Sequence, residues 1–282
     1  NDRYRDGVRR FWRGDAGMAP DLAKRILGSA ERFDHGGRVA TSSINLLTAH
    51  DGFTLEDAVS FTVKRNLANG EENRDGHSDN HSDNLGVEGP SGDPAIRAAR
   101  DLRKRNLFAT LMLSQGTPMI LAGDEIGNSQ GGNNNAYAQD NPTGWVTWEG
   151  GDEALAAFVG ALAQLREAHP VLRQRRFLHA RPRQGDALMD VIWRRADGAV
   201  PRPEDWHDAE FRCLGVEIRS AGGGEGAIFA VFNAGGPVAL TLPETAAWRL
   251  ILDTTRPDLA VPEPVAGRLA APGPAVLVFE SL

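Results

Sequence analysis

The sequence predicts an α/β unit organised on parallel strands, followed by an antiparallel all-β unit. Three observations carry that prediction. The stretch 44–51 is a short apolar run that ends abruptly in His50 and Asp51, with Gly52 directly behind it. A second run, 118–122, is closed by Gly123 and then Asp124 and Glu125, and a long helical pattern lies between the two runs. Beyond about residue 172 the hydrophobic period changes to two. Helix between strands, with polar groups at both strand ends, is the logic of a βαβ unit, and on the pattern alone an α/β barrel and a doubly wound sheet both satisfy it. The predicted division is 1–171 and 172–282.

Composition narrows the possibilities. With 282 residues, 41% apolar and 24% charged, the chain has the usual globular mixture and enough length for a proper core. Its formal net charge of -7 argues against a nucleic acid or an anionic membrane as partner. The single cysteine, Cys213, excludes an intrachain disulfide and a thiolate metal site, and points to a reducing compartment, the cytoplasm. No apolar run approaches the roughly 18 residues that span a bilayer. Asn1 is no initiator methionine, and Tyr4, Val8, Phe11 and Trp12 set up a helical face at once, as expected of a segment of a longer protein.

In order along the chain, Gly14 and Gly17 end the first helix, a second opens at Pro20 and stops near Gly28, and Gly36-Gly37 form a turn before the first strand. A helix is expected from Thr54. Residues 66–92 form a long polar loop with His-Ser-Asp-Asn repeated at 77–80 and 81–84. His77, Asp79, His81 and Asp83 alternate there, but Asp-, Asn- and Ser-rich loops are commonly just solvated, and no metal is expected. Asp93-Pro94 cap the next helix, whose basic cluster Arg100, Arg103, Lys104 and Arg105 reads as a solvated face. Asp124 and Glu125 read as caps of their own turn. The loop 127–151 combines Asn133, Asn134 and Asn135 with Tyr137, Trp145 and Trp148, a mixture of amides and rings that suits sugar hydroxyls and C–H faces. A helix over about 152–169 stops at Pro170, and short strands follow at 191–193, 214–218, 227–232, 238–242, 249–252 and 276–279.

Certain stretches go further. Asn-Asp-Arg-Tyr-Arg-Asp at 1–6, Thr-Ala-His-Asp-Gly-Phe-Thr-Leu at 48–55 and Asn-Gly-Glu-Glu-Asn-Arg-Asp-Gly at 69–76 resemble the bacterial glycogen debranching enzymes, of the isoamylase-like branch of the α-amylase family of glycoside hydrolases. So do Ser-Gln-Gly-Thr-Pro-Met at 114–119, Ala-Gly-Asp-Glu at 122–125, Gly-Asn-Asn-Asn-Ala-Tyr at 132–137, and Gln139-Asp140-Asn141. The resemblance implies the C-terminal part of a (β/α)8 TIM barrel, with the seventh strand at 44–51 and the eighth at 118–122, followed by a β-sandwich domain. It implies hydrolysis of α-1,6 linkages in a branched α-glucan, glycogen or limit dextrin, with no cofactor.

Of the family's three carboxylates only the last is matched, by Asp51, which would stabilise the transition state while His50 donates to the same sugar. Asn73, Arg74, Gln139, Asp140 and Asn141 are the further substrate-binding candidates. A retaining mechanism needs a nucleophile and a proton donor about 5–5.5 Å apart. Neither has a counterpart here, so the segment alone is expected to be inactive. A non-catalytic α-glucan-binding protein and a related α-glucan transferase are the alternatives.

Overall fold

The computed structural model describes residues 1–183, 186–219, 226–258, 263–265 and 267–282. Helix α1 (Asp2–Arg13) is capped by the Asn1 side chain, which accepts from the Tyr4 N–H at 3.2 Å, and closes at Gly14 with φ 89°. Its apolar face, Tyr4, Val8, Phe11 and Trp12, is buried. The polar tips of these rings find partners on α5 (Pro94–Leu113) and just beyond it: Trp12 Nε1 donates to Thr110 Oγ1 at 2.9 Å, and the Tyr4 hydroxyl lies 2.8 Å from that of Ser114. Between them come α2 (Ala19–Ile26), α3 (Ala30–Phe33), β1 (Ile44–Leu46) and α4 (Leu55–Ala58). After α5 follow β2 (Thr117–Met119) and α6 (Glu153–Ala168).

Strands β1 and β2 pair in parallel, with Ile44 opposite Thr117 and Leu46 opposite Met119, as the βαβ pattern predicted. Both are shorter than the apolar runs that announced them. Each has a single partner in a two-stranded sheet, and the ladder ends at Leu46 and Met119. The helix expected from Thr54 is one turn, although Thr54 caps it as expected, accepting from the Asp57 N–H at 3.2 Å. Gly116 is required where α5 passes into β2. Its φ is 113°, and a Cβ there would lie 2.5 Å from the Ser43 carbonyl oxygen.

The basic face of α5 corrects the expectation of a solvated surface. Arg100 and Lys104 are 3% and 4% exposed. Arg100 donates to the carbonyls of Gly89 (2.8 Å), Asn84 (2.9 Å) and Val87, while Lys104 pairs with Glu56 at 2.7 Å and Arg103 with Asp83 at 3.0 Å. The polar loop over 66–92 lies on this helix, and its inward carbonyls need donors, which the cations supply. Arg105 reaches across to the Thr254 carbonyl at 2.8 Å.

The C-terminal region is β-rich. Strands β3 (Pro182–Arg183), β4 (Asp186–Met189), β5 (Val191–Arg194), β6 (Cys213–Ile218), β7 (Ile228–Asn233), β8 (Val238–Thr241), β9 (Trp248–Asp253), β10 (Glu263–Val265), β11 (Arg268–Ala271) and β12 (Ala275–Ser281) follow in order. Six form one antiparallel sheet, β10-β9-β12-β7-β6-β5, and β8 pairs with β11 as a narrow second layer. One face of the large sheet, with Phe229, Val231, Leu277 and Phe279, packs on Leu240 and Ala271 of that layer. The other face, with Val216, Ala230, Phe232, Val276 and Val278, belongs to the same apolar cluster as Val8, Leu111, Phe158 and Leu162. The core is therefore continuous across residues 171 and 172.

Candidate active site

Strand β1 delivers Leu47 and Thr48 into the interior, and the chain then emerges as His50 and Asp51, both exposed. Gly52, at φ 94°, turns it back, and its N–H donates to the Asn134 carbonyl at 2.8 Å. Asp51 Oδ2 lies 3.5 Å from His77 Nε2, with the two side chains 52% and 49% exposed. An ion pair so open to water contributes little to stability. A carboxylate and an imidazole thus stand side by side on the surface.

His77 was named in the sequence only as a member of a doubled polar motif. What places it is an amide network that links its loop to the loop after β2. Asn134 Nδ2 donates to the His77 carbonyl (2.8 Å) and to Asn80 Oδ1 (3.0 Å), while Asn134 Oδ1 accepts from Asn66 Nδ2 (2.8 Å). Asn69 and Asn135 donate to Asp75 at 2.7 and 2.9 Å, bonds that hold its carboxyl below the ordinary carboxylate range. Asn66 and Asn134 are 0% and 1% exposed, and such buried amides need this pairing.

The other sequence-predicted residues separate into two groups. Asn73 accepts from the Asn66 N–H (2.7 Å) and donates to the Lys64 carbonyl (3.1 Å). Gln139 donates to Asn69 Oδ1 (2.8 Å) and accepts from Asn141 Nδ2 (2.7 Å). Gln139 thus ties the two loops together, while Asn73 and Asn141 each brace their own. Arg74 is exposed, beside Glu72 at 3.6 Å, and Asp140 is exposed, accepting from Trp145 Nε1 at 3.2 Å. Tyr137, Trp145 and Trp148 are 82%, 54% and 60% exposed, an unusual outlay of ring surface in one loop.

Glu125 caps its own turn as expected, Oε2 accepting from the Gly123 N–H at 2.9 Å. Asp124 does not. Its carboxylate accepts from the Thr48 hydroxyl and from the Leu55 N–H (2.9 Å), on the segments before and after the His50–Asp51 turn. Burial pushes its pKa up to about 6, against those two hydrogen bonds and the nearby Arg9 charge. Among the described residues no group of three or more His, Cys, Asp or Glu is placed to hold a metal ion. In the doubled motif, His81 instead sits 3.2 Å from Asp79. A cavity of about 450 Å³ opens elsewhere, beside His169 and Glu280, and includes none of these residues.

Comparison with known proteins bears on this geometry. No family model matches the chain. It is 43% identical over 263 residues to the glycogen debranching enzyme of Serratia proteamaculans, covering 92% of this chain and 37% of that protein. It is 48% identical over 207 residues to the glycogen debranching enzyme of Cronobacter sakazakii, covering 73% of this chain and 30% of that one.

The chain is a homologue of the bacterial glycogen debranching enzymes.

The glycogen operon protein GlgX homolog of Mycobacterium tuberculosis is likewise 48% identical over 219 residues, covering 77% of this chain and 30% of that one. The chain thus spans about a third of the length of the curated relatives it matches, 30% to 37%. Its fold is similar to the pullulanase from Bacillus acidopullulyticus, with a TM-score of 0.69 at 18% identity, over 100% of this chain and 30% of that one. The type I pullulanase from Bacillus subtilis, solved in complex with maltose, gives 0.69 at 19%, over 100% and 35%. The resemblance read from the motifs at 48–55, 69–76 and 132–137 is borne out.

Proposed function

We propose that the chain supplies one side of the active site of a debranching glycoside hydrolase that cleaves α-1,6 linkages in a branched α-glucan, glycogen or a limit dextrin. The observation that carries this is the exposed His50–Asp51 turn at the end of a parallel strand, in a chain 43% to 48% identical to glycogen debranching enzymes. Strands β1 and β2 are read as the seventh and eighth of a (β/α)8 barrel and residues 172–282 as a β-sandwich domain. An open edge at β1, where Ile44 is 49% exposed, supports the barrel reading.

In this reading Asp51 holds sugar hydroxyls and faces the positive charge that develops in the oxocarbenium-like transition state, and His50 donates to the same ring. Arg74 and Asp140 keep exposed polar groups for the glucan chain, with Tyr137 and Trp145 beside them as apolar surface. The nucleophile and the proton donor come from a part of the protein outside these residues, so the chain alone does not turn over. Hydrolysis by paired carboxylates calls for no cofactor or metal. A net charge of -7 and one cysteine fit a cytoplasmic protein that engages neither nucleic acid nor membrane.

Product analysis tests the proposal. The full-length protein should release linear chains with new reducing ends from a branched glucan and leave a linear α-1,4 glucan intact. Chain transfer without net reducing ends would make it an α-glucan transferase, and binding without turnover a non-catalytic glucan-binding protein.

A further inference from the structure

We propose that Arg9 and Asp124 are positioning residues that clamp the backbone on both sides of the His50–Asp51 turn and so fix the direction of the Asp51 carboxylate. The proposal rests on the reading of Asp51 as catalytic. Arg9, on α1, is 6% exposed. Its Nε donates to the Leu47 carbonyl (2.9 Å), just before the turn, and its Nη2 to the Phe53 carbonyl (3.5 Å), just after it. Asp124 is 2% exposed and repeats the pattern with residues next along the chain: the Thr48 hydroxyl before the turn, the Leu55 N–H after it. A cation takes the carbonyls and an anion takes the donors. The backbone between them, over 49–52, carries the single bond from Gly52 to Asn134.

The same cation governs the partner of Asp51. Arg9 Nη1 donates to the Asn80 carbonyl (2.8 Å), and the Asn80 side chain accepts from Asn134, which also holds the His77 carbonyl. Both members of the Asp51–His77 pair are thus referred to one buried guanidinium. Burying two full charges is costly, and a neutral Asn or Thr could cap a turn at less expense. What charged groups add is short, directional hydrogen bonding. At neutral pH both keep their charge, since burial brings Arg9 down only to about 10 and Asp124 up only to about 6. A catalytic carboxylate gains from such anchoring, because displacement by about 1 Å can cost about 100-fold in rate.

The experiment uses the full-length enzyme and a branched glucan, with kcat and KM measured for Asp51→Asn, Asp124→Asn and their double variant. Thr48→Val, which removes one hydroxyl and leaves Asp124 in place, carries the test if Asp124→Asn fails to fold. The expected result is a kcat lowered about 10- to 100-fold in Asp124→Asn and Thr48→Val with KM kept, and no further loss when either is added to Asp51→Asn. Arg9→Lys should restore less than half of what Arg9→Gln loses, because one ammonium cannot span three carbonyls.

Losses that multiply with that of Asp51→Asn, or an unchanged kcat beside a slow Asp51→Asn, would overturn the clamp. Wild-type kinetics in Asp51→Asn would instead overturn the catalytic reading, and the positioning role with it. Amide exchange is the independent readout: residues 49–52 should exchange faster in Thr48→Val while β6 and β7 do not change, and unaltered exchange there would overturn the clamp whatever the kinetics.

Discussion

In the β-rich region, residues of β6, β7 and β12 enter two apolar layers, and most buried side chains there are aliphatic or aromatic, with Glu217, Asn233 and Asp253 among the exceptions. Around the His50–Asp51 turn the buried set includes Asp124, bonded to Thr48 and Leu55, and a side-chain network through Arg9, Asn66, Asn80, Asn133 and Asn134. Both regions are well packed, yet the first is held mainly by an interaction without direction, while the second adds to its buried Leu47, Phe53 and Leu55 a set of directional bonds. In the proposed function the His50–Asp51 turn meets sugar hydroxyls, which calls for fixed donors and acceptors. Loops braced by amides and buried charges achieve this where an apolar layer cannot.

The contrast is open to attack in order of size. Phe229→Ala should cost the most. The ring is fully buried, with centroids 5.9 Å from both Trp248 and Phe279, and a cavity of that kind costs about 3–5 kcal/mol. Urea unfolding of the chain would show it, and a loss below about 1 kcal/mol would mean that the layer is not tightly packed.

Next is pH. Burial raises the folded pKa of Asp124 to about 6 from 3.8, so the folded state holds the extra proton between those values. Stability from this group is therefore fully present below about 3.8 and lost as pH rises through about 6, on the order of 3 kcal/mol in all. Asp57, also raised by burial, acts in the same direction, so the quantity to measure is wild type minus Asp124→Asn. A difference flat from pH 4 to 7 would contradict the burial of Asp124.

Smaller still is Asn134→Ala, which strands the Asn80 oxygen, while the Asn66 amide keeps the Asp75 carbonyl and the His77 carbonyl keeps the Asn80 amide. An orphaned group costs about 1–3 kcal/mol, but water can reach the loop when it loosens. Limited proteolysis over 66–80 should therefore speed up well before the global midpoint moves. Equal effects on both would show that the loop unfolds together with the core.

The same contrast explains what the sequence could tell. Short apolar stretches between turn signals found β5, β6, β7, β8, β9 and β12 within a residue or two, because burial on one face imposes alternation and burial on both leaves an unbroken apolar run. Strands β10 and β11 went unseen, since the exposed Glu263 and Arg268 edges carry no such pattern. Strand-end logic put His50 and Asp51 at an exposed turn after a strand, which is their position after β1. It did not find His77, whose partner lies 26 residues back and is set by Asn134 on another loop. Nor did it find that Arg100 and Lys104 are buried, because a cation satisfied by loop carbonyls reads in one dimension as any surface charge does. Asn133-Asn134-Asn135 behind Gly131-Gly132 was the available signal, three amides with nothing to cap.

In the proposed reaction the charge on Asp51 takes part in cleaving the branch linkage, and Asp51→Asn in the full-length enzyme removes that charge alone. The change keeps size and most hydrogen bonding while removing the charge. On a branched α-glucan kcat should fall about 10²–10³-fold, some 2.7–4 kcal/mol, with KM nearly unchanged. A steep rise in KM at unchanged kcat would make Asp51 a plain substrate binder, and wild-type kinetics would leave the turn with no role in the reaction.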